Sequence, residues 1–197
     1  MTAVKINGEE SSFGQHTSVK VSDLVELIKN QIDPEHMITA ILLNGQELSE
    51  QDWYQPVGNF GQTAIIEVDT GTAVDYVAER LSKSADVVRA CYIDFRDARK
   101  FFQSGDMQNG NRKLAIASNT LKAFFEWYGS LLELVPESDR ARFNIDTYMT
   151  DITDCFKKAC QHQLYQSWWA LGECLEKELE VKLDKLEDFC RGVIASS

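Results

Sequence analysis

No apolar run in this chain approaches the roughly 20 residues that a membrane span requires. Its start, "MTAVKINGEE", carries no basic n-region and no apolar h-region, so a cytoplasmic location is expected. The chain has none of G-x-x-x-x-G-K-[ST], G-x-G-x-x-G or H-E-x-x-H, which removes the common nucleotide and zinc-protease signatures. Histidine is scarce, with three in 197 residues. Di-iron sites in helical bundles use Glu-x-x-His pairs, and none occurs here: Ala159 stands at that spacing before His162 and Asp33 before His36. Five cysteines, Cys91, Cys155, Cys160, Cys174 and Cys190, form no C-x-x-C. An odd, unpatterned set reads as reduced thiols filling a core. Cys155, Cys160 and His162 are the one tempting cluster. Positions five apart on a helix point about 140° away from each other, so they clamp one ion only if the helix breaks between them. No catalytic, cofactor or metal site is therefore expected.

Basic charge is also scarce, and unevenly so. The formal net charge is −11. Residues 1–72 hold three lysines and no arginine against eleven acidic residues, a net −8, which leaves −3 for the remainder. An acidic surface repels phosphate backbones, so nucleic-acid binding is disfavoured. What remains is either a basic protein partner or a surface that merely keeps the chain solvated.

The residues present divide the chain in two. Val4-Lys5-Ile6 alternates as a half-buried strand does and runs into Asn7-Gly8, a type I′ turn pair. A second strand is expected around Phe13 to Val21. "VSDLVELIKNQID" gives a helix with Ser22 or Asp23 as N-cap, an apolar face of Val21, Leu24, Val25, Leu27 and Ile28, and a stop at Asp33-Pro34. Ile38–Leu43, nearly all apolar, is expected to be a central strand. Asn44-Gly45 turns it, Leu48 opens a short edge strand, and "TAIIEVDT" (63–70) is the last strand. One helix across a mixed sheet of this order is a β-grasp.

From Ala73 onward no strand pattern recurs. Thr72 with Asp75 resembles a capping box. Val74, Ala78, Leu81, Ala85, Val88, Tyr92, Phe95 and Phe102 follow near-heptad spacing until "QSGDMQNGN" (103–111) breaks it. A second stripe runs from Leu114 to Val135. Ser138 is placed to cap a third helix on Ile145, Met149, Ile152, Phe156 and Ala159. A fourth stripe runs Leu164, Trp168, Leu171, Leu175, Leu179, Leu183, Leu186 and Cys190, with a turn expected near Gln161–Gln163. These describe an up-down bundle of four helices, or one long bent third helix with two shorter ones. The expected organisation is α+β: a β-grasp domain over residues 1–72 and an all-α bundle over 73–197.

The stretch "KINGEE…VSDLVELI…ITAILLNGQELSEQDW…IIEVDTGT" resembles the ubiquitin-like β-grasp sulfur carriers of thiamine and molybdopterin synthesis, over about a third of the chain. Those carriers act through a free C-terminal Gly-Gly. Here the matching place is Thr70-Gly71-Thr72, with a single glycine and a long chain beyond it, so the resemblance implies a fold reused for binding rather than the carrier activity. The helical part resembles bacterial flagellar export chaperones in architecture, with no shared motif.

Four aromatic doublets, Phe101-Phe102, Phe124-Phe125, Trp127-Tyr128 and Trp168-Trp169, place neighbours about 100° apart on a helix, more than one core face needs. Either the apolar face is wide, or the outer members form a surface for a protein partner or a homodimer. On the second reading the interface residues are Phe101, Phe125, Trp127 and Trp169, and Trp168 is core. The function expected is a non-catalytic protein-binding, adaptor or chaperone-like module. The rival is an enzyme or sulfur-carrier descendant with thiol or carrier chemistry.

Overall fold

The computed structural model of the chain describes residues 3–15 and 18–193. The fold is α+β, with a small mixed sheet followed by a helical C-terminal region. It divides into two compact units, one reaching Tyr76 and the other starting at Val77. Among the described residues no helix is long and apolar enough to cross a membrane.

Five strands form the sheet: β1 (Ala3–Ile6), β2 (Glu9–Ser11), β3 (His36–Leu43), β4 (Gln46–Glu47) and β5 (Ile65–Thr72), in the order β2-β1-β5-β3-β4. β1 and β5 run parallel, and the other pairs are antiparallel. The helix α1 (Val21–Lys29) shares one core with the sheet. Val21, Leu24, Val25 and Ile28 from α1 bury with Val4 of β1 and Ile66 and Val68 of β5.

The central strand is β5, not the apolar run Ile38–Leu43. β4 has two residues and pairs only with Leu42 and Leu43, so most of β3 has a free flank and none of its residues is fully buried. A β-bulge between Ile38 and Ala40 absorbs one residue. That irregularity explains how Ile38, Ile41 and Leu43 all pack on the same core although the first two are three apart.

Both Asn-Gly turns have the expected positive φ, at Asn7 (50°), Gly8 (83°), Asn44 (53°) and Gly45 (77°). Each asparagine also reaches β5. Asn7 Oδ1 accepts from the Thr70 amide at 2.7 Å, and its Nδ2 donates to Thr70 Oγ1 at 2.9 Å. Asn44 Oδ1 accepts from the Ile65 amide at 2.9 Å. Each side chain thereby extends the hydrogen-bond row of its own strand past the strand's end.

Three local expectations are corrected. The second strand is Glu9–Ser11, because the type I′ turn returns the chain immediately; a 3₁₀ turn, Ser12–Gln15, follows, and His16–Thr17 of the expected strand lie outside the described residues. Neither Ser22 nor Asp23 caps α1. The helix starts at Val21, whose amide donates to the Gln55 carbonyl at 3.1 Å, so backbone from a neighbouring loop does the work of a side chain. It ends at Lys29, ahead of Asp33-Pro34, with Asn30 Nδ2 donating to the Glu26 carbonyl at 2.9 Å.

β5 runs directly into α2 (Ala73–Gln103), where the Asp75 amide donates to Thr72 Oγ1 at 3.1 Å and the Thr72 hydroxyl donates to Asp75 Oδ2 at 2.8 Å. Next come α3 (Met107–Leu132), a 3₁₀ turn (Arg140–Phe143) and α4 (Asp146–Leu164). The last rod is α5 (Trp168–Cys174), a π turn (Leu175–Leu179) and α6 (Glu180–Gly192). The third and fourth stripes are thus separate helices.

Two Schellman closures end α2 and α4. In the first, the Asp106 amide donates to the Phe101 carbonyl at 2.9 Å and Gly105 has φ 84°. In the second, the Ser167 amide donates to the His162 carbonyl at 2.8 Å and Gln166 has φ 54°. The chain therefore turns at Tyr165–Ser167, later than Gln161–Gln163, and Leu164 at the end of α4 is 77% exposed rather than core. The break after α2 is also shorter than the glycines suggested. Asp106 caps α3, accepting from the Asn109 amide at 3.1 Å, and Gly110 lies inside the helix, where a Cβ would stand 2.6 Å from Phe102 Cε1. Ser138 is not a helix cap: its hydroxyl donates to Asp139 Oδ2, and α4 starts after Asn144, whose Oδ1 accepts from the Asp146 amide.

The two glycine-type positions give opposite expectations. Gln166→Gly relieves a left-handed glutamine and should raise stability by up to about 1 kcal/mol. Gly110→Ala should lower it by about 1–3 kcal/mol through overpacking against the buried Phe102 ring. Urea unfolding midpoints of the two variants check both signs.

Candidate functional site

The aromatic doublets resolve as a half-and-half division. Phe102, Phe124 and Tyr128 are buried, while Phe101 and Phe125 are half-buried, Trp127 is 38% exposed and Trp169 is 78% exposed. Trp168 is half-buried rather than core, and it stacks on Phe102 with centroids 5.5 Å apart. α5 opens at Trp168, so only its inner side has a neighbour to pack on.

The four expected interface residues do not converge on one place. Phe125 lines a groove of about 400 Å³ between α3 and α4. One wall is Ser118, Leu121, Lys122, Phe125 and Glu126, and the other is Met149, Ile152, Thr153 and Phe156. Both walls repeat at i, i+3, i+4 and i+7, the spacing of one helix face. In a closed helix pair these seams would interdigitate. Here Phe125, Met149 and Phe156 stay half-buried, and Lys122 and Glu126 form an ion pair at 3.6 Å on the lip. Sequence reading placed Met149 and Phe156 in a core stripe, because periodicity marks a face but not whether a neighbour fills it.

Trp169 lines a separate hollow of about 270 Å³ with Phe102, Gln103, Trp168, Gly172, Glu173 and Glu176. Behind it Arg99 reaches from α2 to Glu176 and Glu180, both at 3.0 Å. Glu180 is 5% exposed and meets Arg99 as its ion-pair partner there. Trp127 lies against Phe124, centroids 6.0 Å apart, and lines neither opening; nor does Phe101.

The thiols occupy interior positions. Cys91, Cys155, Cys174 and Cys190 are buried, and Cys160 is exposed. Burial pushes Cys91 and Cys174 up to about 11 and Cys190 up to about 12, with Asp94 adding to the first and Glu178 to the second. Burial raises Cys155 as well. Thiols held protonated in this way are poor nucleophiles and poor ligands. α4 continues unbroken to Leu164, so Cys155, Cys160 and His162 sit on one continuous helix with Cys155 facing inward and Cys160 outward. Among the described residues no group of three or more His, Cys, Asp or Glu is placed to hold a metal ion.

In comparisons with family models, curated proteins and solved structures, nothing matches this chain.

The thiol environments make a direct expectation. A disulfide reagent such as DTNB at pH 8 should titrate one thiol per native chain quickly, Cys160, and all five after denaturation. Loss of the fast thiol in Cys160→Ser assigns it. Rapid reaction of a second thiol in the native state would show that one of the interior sites opens.

Proposed function

We propose that the chain is a non-catalytic protein-binding module, and that the groove between α3 and α4 receives an apolar segment of a protein partner. The single observation that carries this reading is the pair of helix faces, Ser118 to Phe125 and Met149 to Phe156, held apart as an apolar trough of about 400 Å³. An amphipathic helix laid into such a trough would present anchors at the same i, i+3, i+4 and i+7 spacing. The polar side chains among its lining residues are Ser118, Lys122, Glu126 and Thr153, enough to orient a ligand and too few to build a reaction centre.

On this reading the first unit is a β-grasp without the carrier tail. The strand order with α1 against the sheet supports it, and so does the sequence likeness to sulfur carriers. The Thr70-Gly71-Thr72 stretch lies within β5 and leads into α2, so its carboxyl groups are peptide carbonyls. The interior thiols, raised by burial, weigh against the rival with thiol chemistry.

The test is differential capture. Wild type, Phe125→Glu and a control, Lys83→Glu on the exposed side of α2, are immobilised and challenged with the same cell extract. A partner of the groove is held by wild type and by the control, and is weakened at least about tenfold by Phe125→Glu, a change of about 1.4 kcal/mol or more. Sedimentation equilibrium of wild type and Phe125→Glu decides whether that partner is a second copy. Identical retention by all three folded proteins, with no change in association state, would overturn the proposal.

A further inference from the structure

The hollow beside Trp169 has a different chemistry from the groove, and we propose that it takes the ammonium group of a lysine side chain from a protein partner. This choice of source rests on the protein-binding reading; the cation chemistry does not.

The hollow combines aromatic faces with negative charge. Trp169, Gly172, Glu173 and Glu176 recur at i, i+3, i+4 and i+7 on α5 and the π turn, so they share one face, with Phe102 and Gln103 of α2 opposite. Trp168 is held by its stacking on Phe102, which fixes one wall. Trp169 is 78% exposed, which leaves its indole open to a ligand. A cation over an indole face gains from the ring quadrupole, and tryptophan is the strongest of the aromatic side chains for this.

The charge balance points the same way. Glu173, Glu176 and Glu180 are set against Lys177 and Arg99, which leaves one negative charge uncompensated within this group. Glu173 is held by Lys177 through Oε2, and Glu176 by Arg99 through Oε1. Each carboxylate therefore keeps one oxygen outside these pairs. A guanidinium fork is best served by two parallel oxygens of a single carboxylate. An ammonium carries three donors on one nitrogen and can take one oxygen from each glutamate, while its methylene stem lies on the indole. Glu176 lies in the π turn, and such turns recur at functional sites.

Gly172 adds an independent sign. A Cβ added there would meet only Arg99 Cγ, at 3.9 Å, an ordinary contact. Alanine would fit and would favour the helix. The glycine instead keeps the wall of the hollow bare.

The test reads the indole N–H signals of the ¹⁵N-labelled full chain, assigned by single Trp→Phe replacements. The probes are the blocked tripeptides Gly-Lys-Gly, Gly-norleucine-Gly and Gly-Arg-Gly. The lysine probe should shift the Trp168 and Trp169 signals saturably, and the norleucine probe should bind at least about fivefold more weakly. Trp169→Ala and the pair Glu173→Gln with Glu176→Gln should each weaken the lysine probe by a similar factor. Trp169 is exposed, so its variant folds. Phe125→Glu should leave the titration unchanged, which separates this site from the groove. Equal response to norleucine would make the hollow merely apolar and overturn the proposal. So would equal or tighter binding of the arginine probe, the absence of a saturable shift, or indifference to Trp169→Ala.

Discussion

The hydrogen bonds that Asn7 and Asn44 make to β5 hold the first unit in register. β5 is paired on both flanks, parallel to β1 and antiparallel to β3. Its pairing with β1 stops at Val68, where Asn7 takes over at Thr70; on the other flank the ladder with β3 reaches Ile66, and Asn44 takes over at Ile65. Each bond is worth about 1 kcal/mol net, but a one-residue slip would turn Ile66 and Val68 out of the core and forfeit far more. The two turns are therefore clamps as well as reversals. Asparagine and glycine both take the positive φ that each turn requires, and the asparagine side chain adds its bond to β5 at both ends.

The helical unit obeys a different constraint. Its core is a set of inner faces: Leu81, Val88 and Phe95 from α2, Leu121 and Phe124 from α3, Ile152 from α4, and Leu171, Leu175, Leu179 and Leu183 from the last rod. The outer members of the aromatic doublets, Phe101, Phe125, Trp127 and Trp169, have no inner position left. Phe125 and Trp169 line two openings with opposed characters, one an apolar trough with its charges paired on the lip, the other an aromatic hollow lined by two glutamates. The same helical geometry that turns one ring of each pair toward the interior turns the other outward by about 100°.

Much of this was legible in residues. The strand–helix–strand order, the Asn-Gly turns, the Thr72–Asp75 cap and the helical stripes all follow from local chemistry, and local chemistry is what a sequence records. The misses share a cause. β3 reads as central because Ile38–Leu43 is apolar, yet its flank depends on the length of β4, a property of another segment. The start of α1 depends on the Gln55 carbonyl, remote in sequence. The turn at Tyr165–Ser167 has no glycine because Gln166 accepts a left-handed conformation that the Schellman bonds hold in place. The groove was hidden for the same reason: Met149 and Phe156 have core spacing, and only the separation of α3 from α4 leaves them half-covered.

Native-state hydrogen exchange under rising denaturant tests the clamp on β5 most directly. The amides of Ile66 and Val68 should be among the slowest in the first unit and exchange only by its global opening. Thr70, bonded to the Asn7 side chain beyond the end of β1, should join that same opening in wild type and leave it for a faster local one in Asn7→Ala. If Thr70 exchanges by local fraying in wild type, at the rate of the exposed β4 amides, the asparagine side chains do not hold the strand, and register must come from the apolar core alone.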